Sequence, residues 1–424
     1  MFVRQPASTV LTLFLASLVA CSGGESEAPP AAADPAPEKA AGPSLDKGIA
    51  LALAQFVTEG GKPKPGPARV EFLMLRDGKW EMTHFEDADS NVFHKAMMYD
   101  RGRGDELLTL AGTAAHVKIW ERKGGTLSGT SHWTRDFGGK FSRMRDGEVA
   151  DLYGDGKASI AVATHDQGVV AVLRPVGDGF EVVELDDESN TFVHEIEIGD
   201  LNADGVLEVY ATPSEPNKLD GSKQSGRVVR YVPKTGEGRV VVADLGDRHA
   251  KEILVDDVDG DGTDELYVAV EGQMGGDGGK SIEDPVEIRR YEADTPADQG
   301  VVIATLQDKL TRFLTAGDVD GDGNKELVAA GFSSGVWLFR PGADPNALWA
   351  AEIIDRDSAG FEHAAILTDL DGDGTDELYV ASDRHKQLRR YVWKNGKPKR
   401  QIIYRRPDNR PIFTWNLMPV WGSV

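Results

Sequence analysis

The sequence contains a single cysteine, Cys21, in 424 residues. A lone cysteine cannot form an intrachain disulfide, so no disulfide framework holds this fold together. After Cys21 no stretch approaches the roughly 18 consecutive apolar residues that a membrane-spanning helix needs. We therefore expect the rest of the chain to lie outside the membrane and to depend on a hydrophobic core.

Positive charge is scarce: 47 Lys and Arg residues stand against 70 Asp and Glu residues, a formal net charge of -23. A nucleic acid, itself a polyanion, would meet net repulsion, which excludes it as a partner.

The sequence also lacks long stretches in which apolar residues recur at the spacing of a helix. Apolar residues instead form short β-branched and aromatic runs separated by Gly, Asp and Pro, which predicts an all-β fold.

Residues 1–20 have the composition of a secretory signal peptide, with an early cation at Arg4 and an apolar stretch over 10–19. The segment Leu18-Val19-Ala20-Cys21 resembles a bacterial lipobox. That resemblance implies that Cys21 is the lipid-modified first residue of the mature protein. The alternative is an ordinary signal peptide cut near Ala20.

The resemblance to a lipobox implies a cellular location for the protein. Ser22 follows the cysteine, and this resembles the pattern of outer-membrane lipoproteins, displayed on the periplasmic or the cell-surface side. Residues 21–44 then comprise the lipidated cysteine and a tether of Ala, Pro, Gly, Ser and Glu, a composition typical of disorder. Residues 45–424 form the folded domain, which we expect to be a monomer that contacts the membrane through the lipid anchor only.

One acidic loop occurs four times, beginning at Asp200, Asp257, Asp318 and Asp369. Each copy places side-chain oxygen donors at positions 1, 3, 5 and 9 of a Gly-containing loop and is followed at once by an apolar strand-like run. Oxygen donors at this spacing, with a carbonyl at position 7, supply most of the ligands that calcium needs. The sequence thus predicts about four calcium ions.

The predicted calcium ligands come from the four loops in equal numbers. They are Asp200, Asn202, Asp204, Val206 and Glu208; Asp257, Asp259, Asp261, Thr263 and Glu265; Asp318, Asp320, Asp322, Asn324 and Glu326; and Asp369, Asp371, Asp373, Thr375 and Glu377.

Two rival interpretations of these loops remain. An EF-hand or dockerin loop would place its closing acid at position 12 between helices, whereas position 12 here falls within an apolar strand. The loops could also be solvated acidic turns without metal. A degenerate fifth copy keeps Asp151 and Asp155, and we leave its metal binding open; a sixth, at Asp100, has lost the pattern.

The loops recur at intervals of about 50 to 60 residues, which fits one four-stranded unit per repeat. Six loops would give six blades, and the chain ends supply a seventh. Residues 412–418 match an inner strand without partners, while 49–57, 70–75 and 80–85 read as second, third and fourth strands without an inner one. Pairing of the two ends predicts a closed seven-bladed β-propeller; a solenoid would instead need separate caps.

The repeats resemble the FG-GAP/VCBS repeats of integrin α-subunit propellers and of many secreted bacterial proteins. The resemblance rests on the motif Asp-x-Asp/Asn-x-Asp-Gly-x-x-Glu and covers about residues 46–424. It implies a calcium-binding propeller. The ninth residue is Glu where the integrin pattern has Asp, and the Phe-Gly and Gly-Ala-Pro signature is not evident, so no ion affinity follows from the resemblance.

A second pattern lies six residues before the first Asp of each loop. We call these residues, together with the equivalent of the closing strand, the ring; they are His94, Arg145, His194, Lys251, Arg312, His363 and Trp415. Six residues of strand span roughly 20 Å, so the ring is expected on the face opposite the calcium loops.

The ring admits several interpretations. It is a candidate site for an anionic carbohydrate or protein ligand, or a set of cations paired with carboxylates in a polar channel. His94, His194 and His363 could instead converge on a transition metal. We favour a binding protein without catalytic residues; a lyase-like enzyme acting on acidic polysaccharide through the His and Arg residues is the alternative, and a subunit of an envelope complex is a third possibility.

Overall fold

The computed structural model describes residues 46–102, 104–113, 115–124, 126–138, 142–218, 223–275, 280–407 and 410–422. The predicted signal peptide, Cys21 and the tether over 21–44 lie outside these residues. Within them the only helix is a single 3-10 turn at Asp383–His385, and no helix is long and apolar enough to cross a membrane.

Seven antiparallel sheets of four main strands form the seven blades. The composite blade contains β1 (Lys47–Glu59), β2 (Lys62–Pro65), β3 (Ala68–Arg76) and β4 (Lys79–Asp87). Blade 1 contains β5 (Phe93–Asp100), β6 (Asp105–Ala111), β7 (His116–Lys123) and β8 (Thr126–Thr134). Blade 2 contains β9 (Met144–Ala150), β10 (Ser159–Thr164), β11 (Val169–Val176) and β12 (Gly179–Asp187). Blade 3 contains β13 (Phe192–Gly199), β14 (Glu208–Ser214), β15 (Arg227–Val232) and β16 (Glu237–Asp244).

The remaining strands complete the propeller. Blade 4 contains β17 (Ala250–Asp256), β18 (Glu265–Val270), β21 (Val286–Tyr291) and β22 (Val301–Leu306), with a small hairpin of β19 (Gln273–Gly275) and β20 (Ser281–Asp284) between its second and third strands. Blade 5 contains β23 (Thr311–Gly317), β24 (Glu326–Gly331), β25 (Val336–Arg340) and β26 (Ala350–Asp355). Blade 6 contains β27 (Ala365–Thr368), β28 (Glu377–Ser382), β29 (Gln387–Lys394) and β30 (Lys397–Arg405). The last strand, β31 (Ile412–Trp421), belongs to the composite blade.

The chain ends meet in the composite blade, whose strand order is β31, β1, β3, β4. Strand β31 pairs antiparallel with β1 from Lys47 opposite Trp421 to Gln55 opposite Ile412. This confirms the predicted closure: the ends supply the inner strand and the three outer strands of one blade. Strand β1 also extends beyond the sheet and forms a hairpin with β2, which the sequence did not predict.

The hydrophobic core lies between neighbouring blades rather than in one central cluster. In one example, Ile49 and Leu417 of the composite blade pack with Tyr379 and Leu388 of blade 6. All four side chains are at most 1% exposed. Because each blade buries both faces against its neighbours, the second strands are almost wholly apolar, as in β18 and β24.

Each strong acidic loop joins the inner strand of its blade to the second strand, and the closing Glu of the motif is the first residue of that second strand. The loops therefore follow the ends of the inner strands, whereas the ring residues lie at or near the starts. The two sets are on opposite faces of the disc, as the spacing predicts.

Candidate ligand pocket and acidic loops

A cavity of about 590 Å³ opens at the start of the inner strands, and residues from all seven blades or their entry loops line it. Six ring residues are among them: His94, Arg145, His194, Lys251, Arg312 and Trp415. The structure thus brings six residues that are far apart in sequence to one pocket. The volume is within the range of small-molecule sites.

A β-bulge directs each of these six side chains toward the pocket. Arg145, for example, has no partner in the ladder, because Met144 pairs with Thr164 and Asp146 with Ala163. The same register shift occurs at the other five positions, namely His94, His194, Lys251, Arg312 and Trp415. A bulge inserts one extra residue and turns its side chain, so the pocket is built from six repeated bulges.

His363 does not line the pocket. Blade 6 has no bulge at this position: its inner strand begins only at Ala365, and His363 has a left-handed backbone with φ of 56°. The imidazole is fully buried, with Nδ1–H donating to the Gly331 carbonyl at 2.7 Å and Nε2 accepting from the Ser358 hydroxyl at 2.7 Å. Phe361 and Glu362 reach the pocket in its place.

The histidines of the pocket contribute little positive charge. Burial lowers the pKa values of His94 and His194 well below their usual range, and neighbouring cations lower them further. The same causes lower the pKa of His165 to about 4 and that of His249 to about 3. These imidazoles are therefore neutral near pH 7, and the predicted basic ring is cationic only at its Arg and Lys members.

The three histidines considered for a transition metal are not brought together. Among the described residues, groups of at least three His, Cys, Asp or Glu donors occur only in the acidic loops. His363 is held away from the pocket, and the Nδ1–H of His94 is already donated to the Met144 carbonyl.

Arg145 and Arg312 share one carboxylate, Glu362. Their guanidinium groups lie 3.7 Å from its two oxygens. The Nε–H of each arginine also donates to a backbone carbonyl, and each guanidinium lies over an aromatic ring. The distance from the guanidinium carbon to the ring centre is 5.2 Å for Arg145 and Trp415 and 5.1 Å for Arg312 and Phe361. One buried acid between two cations leaves a net positive charge, so pairing with carboxylates is incomplete at this point.

Glu271, which follows β18, was missed by the sequence analysis because it belongs to no repeat motif. Its side chain is 2% exposed, and neither carboxylate oxygen has a hydrogen-bond partner among the described residues. Burial raises its pKa to about 7, although Lys251 and Arg312 lower it. Burial likewise lowers the pKa of Lys251 to about 8, and this ammonium forms no ion pair with a described carboxylate.

Two further buried donors or acceptors in the pocket lack partners in the described structure: Nε2 of His194 and Nε1 of Trp415. Buried polar atoms without partners are rare in native proteins because each one costs about 1–3 kcal/mol. Together with Glu271 and Lys251 they give the pocket a set of unused hydrogen-bonding groups that a polar ligand could satisfy.

Three long connections join a second strand to a third strand on this face, and two of them contribute to the lining. Asn217, Lys218 and Gln224 come from the connection in blade 3, and Gly272 to Met274 from the connection in blade 4. The third, over 58–67, forms the end of β1 and strand β2, and its described residues are absent from the lining.

An apolar groove of about 500 Å³ adjoins the pocket and shares Phe332 and Phe361 with it. Phe413, Pro411 and Ile412 extend the groove along the composite blade. Phe361 is 44% exposed and lies between the two cavities.

On the opposite face, the acidic loops share one backbone conformation. In the loop at Asp257, the first carboxylate accepts from Gly260 N–H at 2.8 Å and Gly262 N–H at 3.0 Å. Both glycines have positive φ, 76° and 93°. The loop at Asp200 keeps this conformation with Ala203 at φ 53°, which a residue with a Cβ rarely adopts. The first Asp therefore closes the loop through hydrogen bonds from the backbone N–H groups.

Three loops gather acidic oxygens closely enough to hold a metal ion, with ligand atoms within 4.8 Å of one another. The groups are Asp257, Asp259, Asp261 and Glu265; Asp318, Asp320 and Glu326; and Asp369, Asp371 and Asp373. A cluster of hard carboxylate oxygens suits calcium. The loop at Asp200 and the degenerate loop at Asp151 are not among these groups.

An arginine on the third strand pairs with two acids of the loop in each of these clusters, a contact that the sequence did not predict. In blade 4, Arg290 lies 2.7 Å from Asp259 and 3.1 Å from Glu265. Arg340 and Arg390 pair with the same two positions in the loops at Asp318 and Asp369. Arg230 pairs with the closing Glu208 alone, and Arg174 pairs with Asp155. The repeated Arg was visible in the sequence, but only the sheet register places it beside the loop.

The closing glutamates are more buried than the other acids of the loops. Glu265 is 1% exposed, and its carboxylate accepts a hydrogen bond from the Tyr267 hydroxyl at 2.8 Å. Burial raises the pKa of Glu265 to about 7, and the pKa values of Glu326 and Glu377 rise equally for the same main reason. Glu265 and Glu377 therefore belong to a buried network of Tyr, Arg and carboxylate groups, whereas Glu326 contacts Arg340 and the Val319 N–H.

The eighth residue of the loop links neighbouring blades. The Asp264 carboxylate accepts from the Asp200 N–H at 2.9 Å, and the Asp376 carboxylate accepts from the Asp318 N–H at 2.9 Å. Lys325, at the same position, donates to Asp256 at 2.5 Å. The loop of one blade thus fastens the inner strand of the blade before it.

Comparison with known proteins supports this architecture. Residues 318–380 match the family model described as an FG-GAP-like repeat. A lectin from Agrocybe aegerita, whose structure is titled for specific recognition of non-reducing terminal N-acetylglucosamine, is similar over 90% of this chain and 95% of its own, with 14% identity and a TM-score of 0.50. A protein from Lactobacillus plantarum is similar over 89% of this chain and 99% of its own, with 12% identity and a TM-score of 0.54.

No curated protein sequence matches this chain. The two structural similarities are too low in identity to show more than a shared fold. The repeat match and the seven sheets agree with each other: the chain is a seven-bladed β-propeller that carries an FG-GAP-like repeat.

Proposed function

We propose that this protein is an extracytoplasmic propeller that binds an anionic carbohydrate or an acidic protein segment in the pocket of about 590 Å³. The observation that carries the proposal is the convergence of Arg145, Lys251 and Arg312 with buried polar atoms that have no partner in the described structure. In a chain with a net charge of -23, a cationic pocket is a local exception. It would attract an anion at a single place on the disc.

The test is a binding screen of uronic-acid oligosaccharides, sulfated oligosaccharides and acidic peptides by calorimetry, with an Arg312→Met variant. We expect Arg312→Met to weaken the binding of the best ligand at least tenfold, because a charge-assisted hydrogen bond contributes about 1.5–3 kcal/mol. The control is Lys62→Met, which removes a cation from the exposed strand β2 and should leave affinity unchanged.

If the wild-type protein binds none of these anions, the proposal is wrong. A lyase-like enzyme is the second candidate, because Glu271, with its pKa raised to about 7, could serve as a general acid or base. The same polymers are therefore incubated with the protein and analysed for cleavage. Turnover that is lost in Glu271→Gln while binding is retained would favour the enzyme.

The pH dependence of binding provides an independent check. Lys251 is lowered to a pKa of about 8 and Glu271 raised to about 7, while the pocket histidines remain neutral. As pH rises from 6 to 9, Glu271 gains negative charge and Lys251 then loses positive charge, so both steps weaken the binding of an anion without hydroxyl groups, such as an acidic peptide. We expect affinity to fall across this range.

Lys251→Arg separates the two steps. Arginine keeps its charge throughout, so the fall in affinity near pH 8 should disappear while the fall near pH 7 remains. An affinity that does not change between pH 6 and 9 in the wild type would contradict this assignment of the titrating groups.

We further propose that the acidic loops bind calcium and that the ions stabilise the fold rather than act on the ligand. The support is the gathering of acidic oxygens in three loops, and the position of the loops between neighbouring blades. An ion bound only to the folded state adds to the free energy of unfolding as its concentration exceeds its Kd. It would also relieve the repulsion among the clustered carboxylates.

Removal of calcium with EDTA should therefore lower Tm, and re-addition should restore it. Asp261→Asn, which keeps an oxygen for the Thr263 N–H but removes a charged ligand, should reduce the stabilisation by calcium. Asp294→Asn, on an exposed turn outside the loops, is the matched control. A Tm that is equal with EDTA and with calcium, in a protein purified without bound calcium, would rule out this role.

We propose, lastly, that Cys21 carries the lipid anchor and that the propeller is held on the outer membrane. The support is the lipobox-like segment ending at Cys21 and the durable membrane attachment that more than one acyl chain provides. Cys21→Ser should abolish incorporation of a palmitate analogue and release the protein to the soluble fraction, whereas Ser22→Ala should not. Unchanged labelling of the Cys21→Ser variant would refute the anchor.

A further inference from the structure

We propose that Glu271 determines the specificity of the pocket and that it selects a hydroxylated acid, such as a uronic-acid sugar, over an acid without hydroxyl groups. This inference rests on the proposed anion-binding function and adds the chemical class of the ligand.

The geometry around Glu271 supports an acceptor role. The residue is fixed by its backbone: its N–H donates to the His249 carbonyl at 2.8 Å, and its own carbonyl accepts from Nε of Arg248 at 3.0 Å. The side chain lines the pocket with both oxygens buried and without a partner among the described residues. Above its pKa of about 7 the carboxylate is ionised and can accept hydrogen bonds but not donate them, so a ligand that satisfies it must bring donors.

The charges nearby indicate which donors these are. Lys251 and Arg312 act electrostatically on Glu271 more strongly than the acids Glu362 and Asp308 do, so the surroundings of this carboxylate are more positive than negative. An ammonium group on the ligand would meet repulsion from these cations, whereas a neutral hydroxyl group would not. Glu271 is therefore suited to hydroxyl donors.

The anionic part of the ligand is expected beside Arg145 and Arg312. Arg145 and Arg312 are held toward the cavity by backbone carbonyls and aromatic rings, and one carboxylate, Glu362, lies between them. A ligand that combines a carboxylate with hydroxyl groups would engage the cations and Glu271 at once. An acid without hydroxyl groups would engage the cations alone and would leave Glu271 unsatisfied.

Glu362 offers a matched control for Glu271. Both are buried carboxylates in the same pocket, each 2% exposed, but Glu362 is close to two guanidinium groups whereas Glu271 has no hydrogen bond. Replacing either one by Gln removes one negative charge from the pocket. Only the replacement of Glu271 removes an ionised acceptor that is free for the ligand.

The experiment measures the affinities of digalacturonate and of adipate, two dicarboxylates with the same charge, at pH 8 for the wild type, Glu271→Gln and Glu362→Gln. We expect Glu271→Gln to weaken digalacturonate binding about tenfold and to strengthen adipate binding, so that the preference for the sugar acid falls by more than tenfold. Glu362→Gln should strengthen binding of both acids and leave their ratio unchanged.

Thermal unfolding shows whether Glu271 has a structural role instead. Because its oxygens form no hydrogen bond within the described protein, Glu271→Gln should leave Tm unchanged or raise it. A lower Tm together with equal changes in both affinities would indicate a structural role and overturn the inference.

The outcomes distinguish this inference from the function on which it rests. If the wild type binds neither acid, the anion-binding function itself fails. If the wild type binds both acids and Glu271→Gln changes both affinities in the same direction, as Glu362→Gln does, the function stands and the selective role of Glu271 is wrong.

Discussion

The pairing of β31 with β1 is the interaction on which the rest of the molecule depends. It closes the row of blades into a propeller. It also covers the sheet edges that β1 and β31 would expose if the chain ends did not meet. Once the propeller is closed, the distance of every inner strand from the central axis of the propeller is fixed. The pocket, which draws residues from all seven blades, exists only when the propeller is closed.

The two faces of the disc use charge in different ways. On the loop face, carboxylates are clustered, and an arginine from the third strand lies beside each cluster, as Arg290 does beside Asp259 and Glu265. On the pocket face, cations outnumber acids, and burial removes the charge from the histidines. The net charge of the chain therefore says little about the charge that a ligand would meet.

The acidic loops make hydrogen bonds both within their own turn and to the neighbouring blade. Their first Asp closes a tight turn through backbone N–H groups, which needs only the local sequence. Their eighth residue holds the neighbouring blade, as Asp264 holds the N–H of Asp200. Any ion bound in such a loop would stabilise both the turn and the contact between two blades, since both depend on the same few residues.

Much of the architecture could be predicted from the sequence, because repetition is visible without coordinates. The spacing of the loops predicts the number of blades and the position of each inner strand, and the unmatched strands at the two ends predict the closure. Counting back from the first Asp also found five residues of the pocket, and the match of the closing strand to the other inner strands found Trp415.

The remaining features of the site depend on contacts that no local pattern encodes. A β-bulge turns Arg145 and its equivalents into the pocket, whereas His363, at the same sequence spacing, has a left-handed backbone and is held by Gly331 and Ser358. Glu271 reaches the pocket because its backbone is hydrogen-bonded to His249 and Arg248 before the first strand of the same blade. The sequence by itself determined the repeats and their number. Only the tertiary structure decided which side chains share the cavity and which of them are charged, because direction, burial and proximity depend on the closed ring.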